Sequence, residues 1–355
     1  MKTGILTFHL AHNYGAVLQC YALQEVLRGM GHDVWVINYQ QPYILEQFKP
    51  KRLIGIRSLV KALFEERLKD YFYKGILPYV KKKNFDRFRH KFLKETCKCY
   101  GSFDIPEFDL YVIGSDQPWN PDLTGGADLI YWGQFHHPKK SRLATYGMSG
   151  AIFAIGKVGW ENVTRYCETF DYISFREESL TCKFSKLIGK RCSTVLDPTL
   201  MADANLWSPI INTKWGERKY VLVYHVGAPE KVLKAMYEKA KLLATTNQLE
   251  IIDASRYLYT PSDFVSLIKF AQYVITASFH AMVFSVIFKK TFVVAKTGQA
   301  SDVRFENLLG VLGIENCLQD MDCASELQIP DYQMVFKRLS VMREDSFNYL
   351  STIAE

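Results

Sequence analysis

Short apolar runs alternate along this chain with longer stretches in which apolar residues return every three or four positions. Gly4-Ile5-Leu6-Thr7-Phe8 predicts a short buried strand, and His12-Asn13-Tyr14-Gly15 a turn. From Ala16 to Met30, Val17, Cys20, Tyr21, Gln24, Leu27 and Arg28 trace the helical spacing, imperfectly. Gly31 stops that helix as a C-cap would, and Val34-Trp35-Val36-Ile37 predicts the next strand. Strand, helix and strand in this order make a βαβ unit, which implies a parallel sheet with a right-handed crossover.

The same grammar repeats. Leu110–Ile113, Leu143–Tyr146 and Tyr172–Phe175 are apolar runs, each followed by small or polar residues. Val195-Leu196-Asp197-Pro198 closes a first unit, and residues 201–217 read as a crossing to a second. There, strands at 220–224, 249–252, 273–276 and 291–294 alternate with helices at 229–244, from Pro261, at 281–288 and at 301–312. Asp331 to about Ile353 is a last helix, a candidate to pack back on the first domain. The expected fold is α/β, with two Rossmann-like domains, 1–200 and 201–355, facing a cleft. Residues 43–100 interrupt the first as a helical, partly irregular insertion. It includes helical spacing over Leu59–Tyr73 and a helix from Lys81 carrying Phe85, Phe88 and Phe92.

Charge sharpens the view of that insertion. The chain has 355 residues and a net charge of +7. Residues 46–94 hold fifteen Lys or Arg against five Asp or Glu, so this segment carries +10 and the rest sums to −3. The excess is local, which argues against a general nucleic-acid-binding surface. A solvated basic face on aromatic-packed helices explains it best; the functional alternative is peripheral docking to the anionic inner surface of a membrane. The start of the chain does not resemble a signal peptide, and no apolar stretch is long enough to span a bilayer. Eight scattered cysteines without zinc spacing fit reduced thiols in the cytosol. The sequence carries no signal of oligomeric state.

Four places could carry chemistry. His280 lies between a strand and an apolar helix whose N-terminal amides could hold an anion, and an imidazole there can act as acid or base. A core histidine is the equal alternative. Ser115, Asp116, Gln117, Trp119 and Asn120 form a polar cluster after a strand, suited to sugar hydroxyls and a sugar face, or to a capped turn beside a packed indole. Arg176 and Arg304 could each bind carboxylate or phosphate, or merely pair with nearby acids such as Glu177 or Glu178. His9, His12, Asn13 and Tyr14 flank the first strand-helix turn. That turn lacks the glycine spacing of a dinucleotide site, and nothing completes a metal ligand set.

Taken in order, these segments resemble the polysaccharide pyruvyl transferase family. The resemblance rests on Gly4–His9, Asn13–Gln19, Gly114–Gln117 with Trp119-Asn120, Ser174 with Arg176-Glu177, and Leu196–Leu200. It continues through Ser278-Phe279-His280 and Arg304 with Asn307-Leu308-Leu309, so it runs over roughly residues 1–320. It implies a fold similar to B-type (GT-B) glycosyltransferases, with the acceptor on the first domain and the donor on the second. The implied reaction moves the pyruvate unit of phosphoenolpyruvate onto two hexose hydroxyls as a cyclic ketal, with release of phosphate and no cofactor. His280 matches the histidine thought to be catalytic. Better-described members resemble Arg-Leu-His where this chain has Ser278-Phe279-His280, so Arg176, Arg304 or Lys296 must replace that arginine if the donor is the same. Donor contacts are thus expected from Arg176, Ser278, Phe279, Lys296 and Arg304. Acceptor contacts are expected from His9, Asn13, Tyr14, Ser115, Asp116, Gln117, Trp119 and Asn120. The acceptor would be a nucleotide-linked or lipid-linked sugar. A nucleotide-sugar glycosyltransferase and a non-catalytic sugar-binding protein remain the competing readings.

Overall fold

A computed structural model describes residues 1–50, 76–255, 259–299, 302–321 and 327–355. The helix read over Leu59–Tyr73 and Cys323 lie outside them. The first sheet comprises β1 (Lys2–Leu6), β2 (Asp33–Tyr39), β3 (Glu95–Cys99), β4 (Leu110–Asp116), β5 (Arg142–Met148), β6 (Ile173–Phe175) and β7 (Cys192–Thr194). Its order is β3-β2-β1-β4-β5-β6-β7, and every pairing is parallel. The second comprises β8 (Tyr220–His225), β9 (Glu250–Asp253), β10 (Tyr273–Ala277), β11 (Thr291–Ala295) and β12 (Leu318–Gln319), ordered β12-β11-β10-β8-β9 and again parallel. Two parallel-sheet α/β domains are therefore present, as the alternation of strand and helix patterns predicted.

Local chemistry explains where the helices begin. Asn13 caps the helix Tyr14–Gly29 through its side-chain oxygen, which accepts from the amides of Gly15 at 2.9 Å and Ala16 at 3.4 Å. Thr260 and Asp263 form a reciprocal capping box at the helix Pro261–Phe270, with Pro261 in the first turn. The stretch 43–100 departs from its helical reading at one point. β3 is an edge strand inside it, paired to β2 and tied by the Asn38 amide donating to Thr96 Oγ1 at 3.0 Å. Its Glu-Thr-Cys-Lys-Cys sequence lacks the apolar run of a central strand because an edge faces solvent. The crossing near 201–217 consists of short 3-10 turns capped by Asp203 and Asn212.

In a sheet whose order reverses, ligands bind where the strand order switches, here the carboxyl ends of β1 and β4. That crevice is filled. The Gln19 amide donates to Thr7 Oγ1 at 2.8 Å and accepts from the Ser115 backbone at 3.2 Å, while Thr7 Oγ1 donates to the Ser115 carbonyl at 3.0 Å. The facing surfaces of the domains are also partly closed. Tyr14 stacks on Phe264 with ring centroids 4.3 Å apart, and its hydroxyl donates to the Tyr259 carbonyl at 3.0 Å. One apolar core runs from Ile5 and Val17 through Trp207 to Phe264 and Phe284. The last helix, Tyr332–Ala354, lies against the first sheet: Tyr349 donates to the Thr145 carbonyl at 2.7 Å, and Ser346 Oγ accepts from the Leu196 amide at 2.9 Å. No described helix is long and apolar enough to cross a membrane.

Candidate functional site

An opening between the domains lies beyond β6 and β7. It is a cavity of about 500 Å³ lined by Arg176, Glu177, Asp197, Phe279, Arg304 and Asn307, among others, a size ordinary for a small-molecule site. β6 delivers Arg176 and Glu177, the turn after β7 delivers Asp197, and β10 delivers Ser278, Phe279 and His280. The helix Asp302–Leu312 turns Arg304, Asn307, Leu308 and Val311 toward the cavity, at the three-four spacing that puts side chains on one face.

Asp197 is the hub. Its side chain is 1% exposed; Arg176 is bonded to it through Nη1, and His280 Nε2 lies 3.6 Å away. Burial by itself would raise the carboxyl's pKa, but Arg176, His280 and Thr199 together hold it well below the usual carboxylate range. The second carboxylate on Arg176 is Asp116, at 3.1 Å from Nη2. Asp116 occupies the left-handed region with φ 79°, a conformation that costs a non-glycine residue roughly 1–3 kcal/mol and is held by its surroundings.

Phe279 forms the floor between two cations. The Arg176 guanidinium carbon lies 5.5 Å from its ring centroid and that of Arg304 5.9 Å. Among the described residues, Arg304 has no carboxylate at ion-pair distance. Burial and the facing Arg176 pull its pKa down, which marks an undercompensated positive charge. Glu177 stands at the N-cap of the helix Glu178–Ile188 but does not cap it. Its Oε1 instead accepts from Ser149 at 2.6 Å, and its Oε2 is buried without a hydrogen-bond partner. Burial, opposed by Arg176, raises its pKa.

His280 sits in the seam and does not itself line the cavity. Its side chain is 12% exposed. The ring lies so close to Gly15 that an added Cβ there would stand 2.0 Å from Nδ1. Ser278 is buried and precedes the helix Phe279–Ile287 without capping it through its side chain. Lys296 is exposed and away from the cavity lining.

Most of the expected acceptor residues are placed otherwise. His9 is fully buried, with Nδ1 3.2 Å from the Thr7 carbonyl and Nε2 3.4 Å from Asn38 Oδ1; burial lowers its pKa. Trp119 is no sugar platform: it stacks face to face on Trp132 at 4.2 Å, and its indole N–H donates to the Tyr131 carbonyl at 2.8 Å. Tyr14 is spent in the domain seam, and Ser115 donates to the Gly147 carbonyl at 2.8 Å inside the core. Asn13 and Asn120 are helix caps, and Gln117 accepts from the Asn120 amide at 3.0 Å. Two physical reasons account for this: Asn13, Gln117 and Asn120 satisfy local backbone and side-chain bonds, while His9, Tyr14, Ser115 and Trp119 are taken up by buried tertiary contacts. Asp116 alone of that set reaches the site, through Arg176. Sequence reasoning treated Glu177 as a mere ion-pair partner and gave no role to Asp197, Asn307 or Gly15. All four lie within the quoted family segments, the one signal that could have found them.

A second cavity, of about 630 Å³, opens at the carboxyl ends of β2 and β3 beside His12, Asn38, Arg89, Lys98 and Tyr100. Burial, with Lys81 nearby, lowers the His12 pKa to about 4, so this ring is neutral at pH 7. Among the described residues, no three His, Cys, Asp or Glu side chains gather as a metal site, and each of the seven described cysteines is free.

No curated protein sequence matches the chain. Among solved structures, a UDP-GlcNAc 2-epimerase from Methanocaldococcus jannaschii is 12% identical with a TM-score of 0.47, over 97% of this chain and 93% of that one. The S. aureus MnaA-UDP co-structure is 12% identical with a TM-score of 0.45, over 98% and 91%. The E. coli heptosyltransferase WaaC with ADP is 11% identical with a TM-score of 0.39, over 96% and 100%. Scores this low carry no argument about this chain. The family described as polysaccharide pyruvyl transferase matches residues 13–296, which takes in β2 to β11 and every residue of the cavity named above except Arg304, Asn307, Leu308 and Val311. Over that span, the chain belongs to the polysaccharide pyruvyl transferase family.

Proposed function

We propose that this protein transfers the pyruvate unit of phosphoenolpyruvate onto two hydroxyls of a hexose in a cell-surface polysaccharide precursor, forming a cyclic ketal and releasing phosphate. The supporting observation is the pair of guanidiniums over Phe279, with no carboxylate at ion-pair distance from Arg304 among the described residues. A donor bearing a carboxylate and a phosphate presents two oxyanion groups, and planar guanidiniums meet both by paired hydrogen bonds. Arg176 is largely committed to Asp197 and Asp116, so Arg304 supplies the uncommitted charge. It does the work of the arginine absent beside His280, and Lys296 does not. The N-terminal amides of the helix Phe279–Ile287 add further donors.

In this reading the donor lies over Phe279 with its phosphate toward Arg304, where positive charge favours departure of the leaving group. His280, steadied by Asp197, takes a proton from an attacking hydroxyl. The acceptor is a nucleotide-linked or lipid-linked sugar met on the cytosolic side, and phosphoenolpyruvate is a co-substrate with no further cofactor.

The test is phosphate release from phosphoenolpyruvate with a panel of hexose acceptors, read together with the mass gain of a pyruvyl ketal. His280→Ala should abolish release. Arg304→Ala should lower kcat/KM for phosphoenolpyruvate roughly 10- to 100-fold, the loss of charge-assisted hydrogen bonds. Stabilisation by a nucleoside diphosphate, with no phosphate released from phosphoenolpyruvate, would replace this reading with a nucleotide-sugar glycosyltransferase.

A further inference from the structure

We infer that Glu177 delivers the proton that converts the methylene carbon of the transferred unit into a methyl group. The inference rests on the phosphoenolpyruvate reading and deepens it. Ketal formation needs a proton on carbon, and a group that gives one must be an acid that reaches the substrate. In this reading His280 is already engaged as the base for the attacking hydroxyl, and Asp197 is held ionised by Arg176, so neither is the acid. Glu177 fits. It lines the cavity beside Phe279 and Arg304, forgoes the capping bond its position offers, and leaves Oε2 buried without a partner.

The titratable and charged groups that line the cavity with it are Arg176 at the end of β6, Arg304 from the helix Asp302–Leu312, Asp197 after β7, Glu178 and Cys182 from the helix it precedes, and Asp345 from the last helix, and Ser149 is bonded to Oε1. Despite two guanidiniums, burial keeps the carboxyl protonated to higher pH than an ordinary glutamate.

The atoms balance. The first hydroxyl adds to C2 of the enol, the C2–C3 π pair moves to C3, and C3 takes the proton from Glu177 Oε2. The hydroxyl's own proton passes to His280 and leaves with the phosphate. The second hydroxyl then forms its bond to C2 as the C2–O bond to phosphate breaks with its electron pair. Its proton returns to the Glu177 carboxylate. One hydroxyl proton thus ends on phosphate, one replaces what Glu177 gave, and nothing is oxidised or reduced.

The experiment is a kcat and KM comparison of wild type, Glu177→Gln and Glu177→Asp across pH, with methyl deuteration followed in D2O. Glu177→Gln should lose at least about 100-fold in kcat. Its KM for phosphoenolpyruvate should stay within about threefold of wild type, because a general acid acts in the transition state more than in binding. The alkaline limb of the wild-type kcat profile should vanish in this variant. Glu177→Asp, which keeps an acid, should recover part of the rate and keep that limb. Wild-type kcat in Glu177→Gln, or an alkaline limb retained there, overturns the inference while leaving the donor assignment standing. So does a rise in KM that accounts for the whole loss. Absence of phosphate release by wild type with every acceptor overturns the donor assignment itself, and this inference with it.

Discussion

Asp197 illustrates how much depends on one carboxylate. It joins Arg176 to His280 and caps the short helix Pro198–Met201 through Thr199. Removing one partner of a buried pair costs about 3–5 kcal/mol, because the survivor stays buried and uncompensated. Asp197→Asn should therefore lower the denaturant midpoint by that equivalent. The pH dependence has a definite sign. The folded carboxyl is held below its ordinary value of 3.8, so its stabilisation is complete above about pH 4 and is lost as pH falls toward the depressed value. The stability gap between wild type and Asp197→Asn, measured by urea titration, should accordingly shrink on acidification below pH 4 and stay constant from pH 5 to 7. At this scale the sequence marks Arg176 and Arg304 as cations after a strand and on a helix; that both line one cavity is decided by the fold. Trp119 and His9 were not legible as core, because composition and spacing do not say which way a side chain faces.

At the scale of elements, the N-terminus of the helix Tyr14–Gly29 meets that of Phe279–Ile287, with Gly15 against His280. In an isolated helix, Gly15→Ala would stabilise by about 1 kcal/mol. Here the added Cβ would stand 2.0 Å from His280 Nδ1, so either the ring or the helix must move. The expected outcome is a folded protein destabilised by about 1–3 kcal/mol, the usual cost of overpacking, with transferase activity lost. Thermal unfolding and phosphate release measured on the same sample check it. Residue periodicity located the major strands and helices, because burial of one face imposes a period the sequence must carry. It missed β3, β7 and β12, edge or near-edge strands of two to five residues with too few apolar positions to show a pattern.

For the whole molecule, the two sheets do not act as separate bodies. A single apolar core crosses the seam, Tyr14 stacks on Phe264, and the last helix donates from Tyr349 to Thr145. The protein should unfold in one transition, with near-UV and far-UV signals coincident in denaturant, since breaking either domain exposes the shared core. Tyr349→Phe should lower stability by about 0.5–1.5 kcal/mol, the worth of one buried hydrogen bond, and should leave the transition single.

Local pattern alone established the alternation of strands and helices and the parallel α/β class, since both are written in the spacing of neighbouring residues; the family was legible only through the resemblance of its ordered motifs. Which residues meet was decided only in three dimensions. Arg176, Asp197, His280 and Arg304 come from separate elements of two sheets, and only the docking of those sheets brings their charges together. Gln19 fills the crevice where strand order predicts a ligand, so the opening lies instead between β6, β7 and the helix Asp302–Leu312. Spacing along a chain records which face is buried; it does not record what that face is buried against.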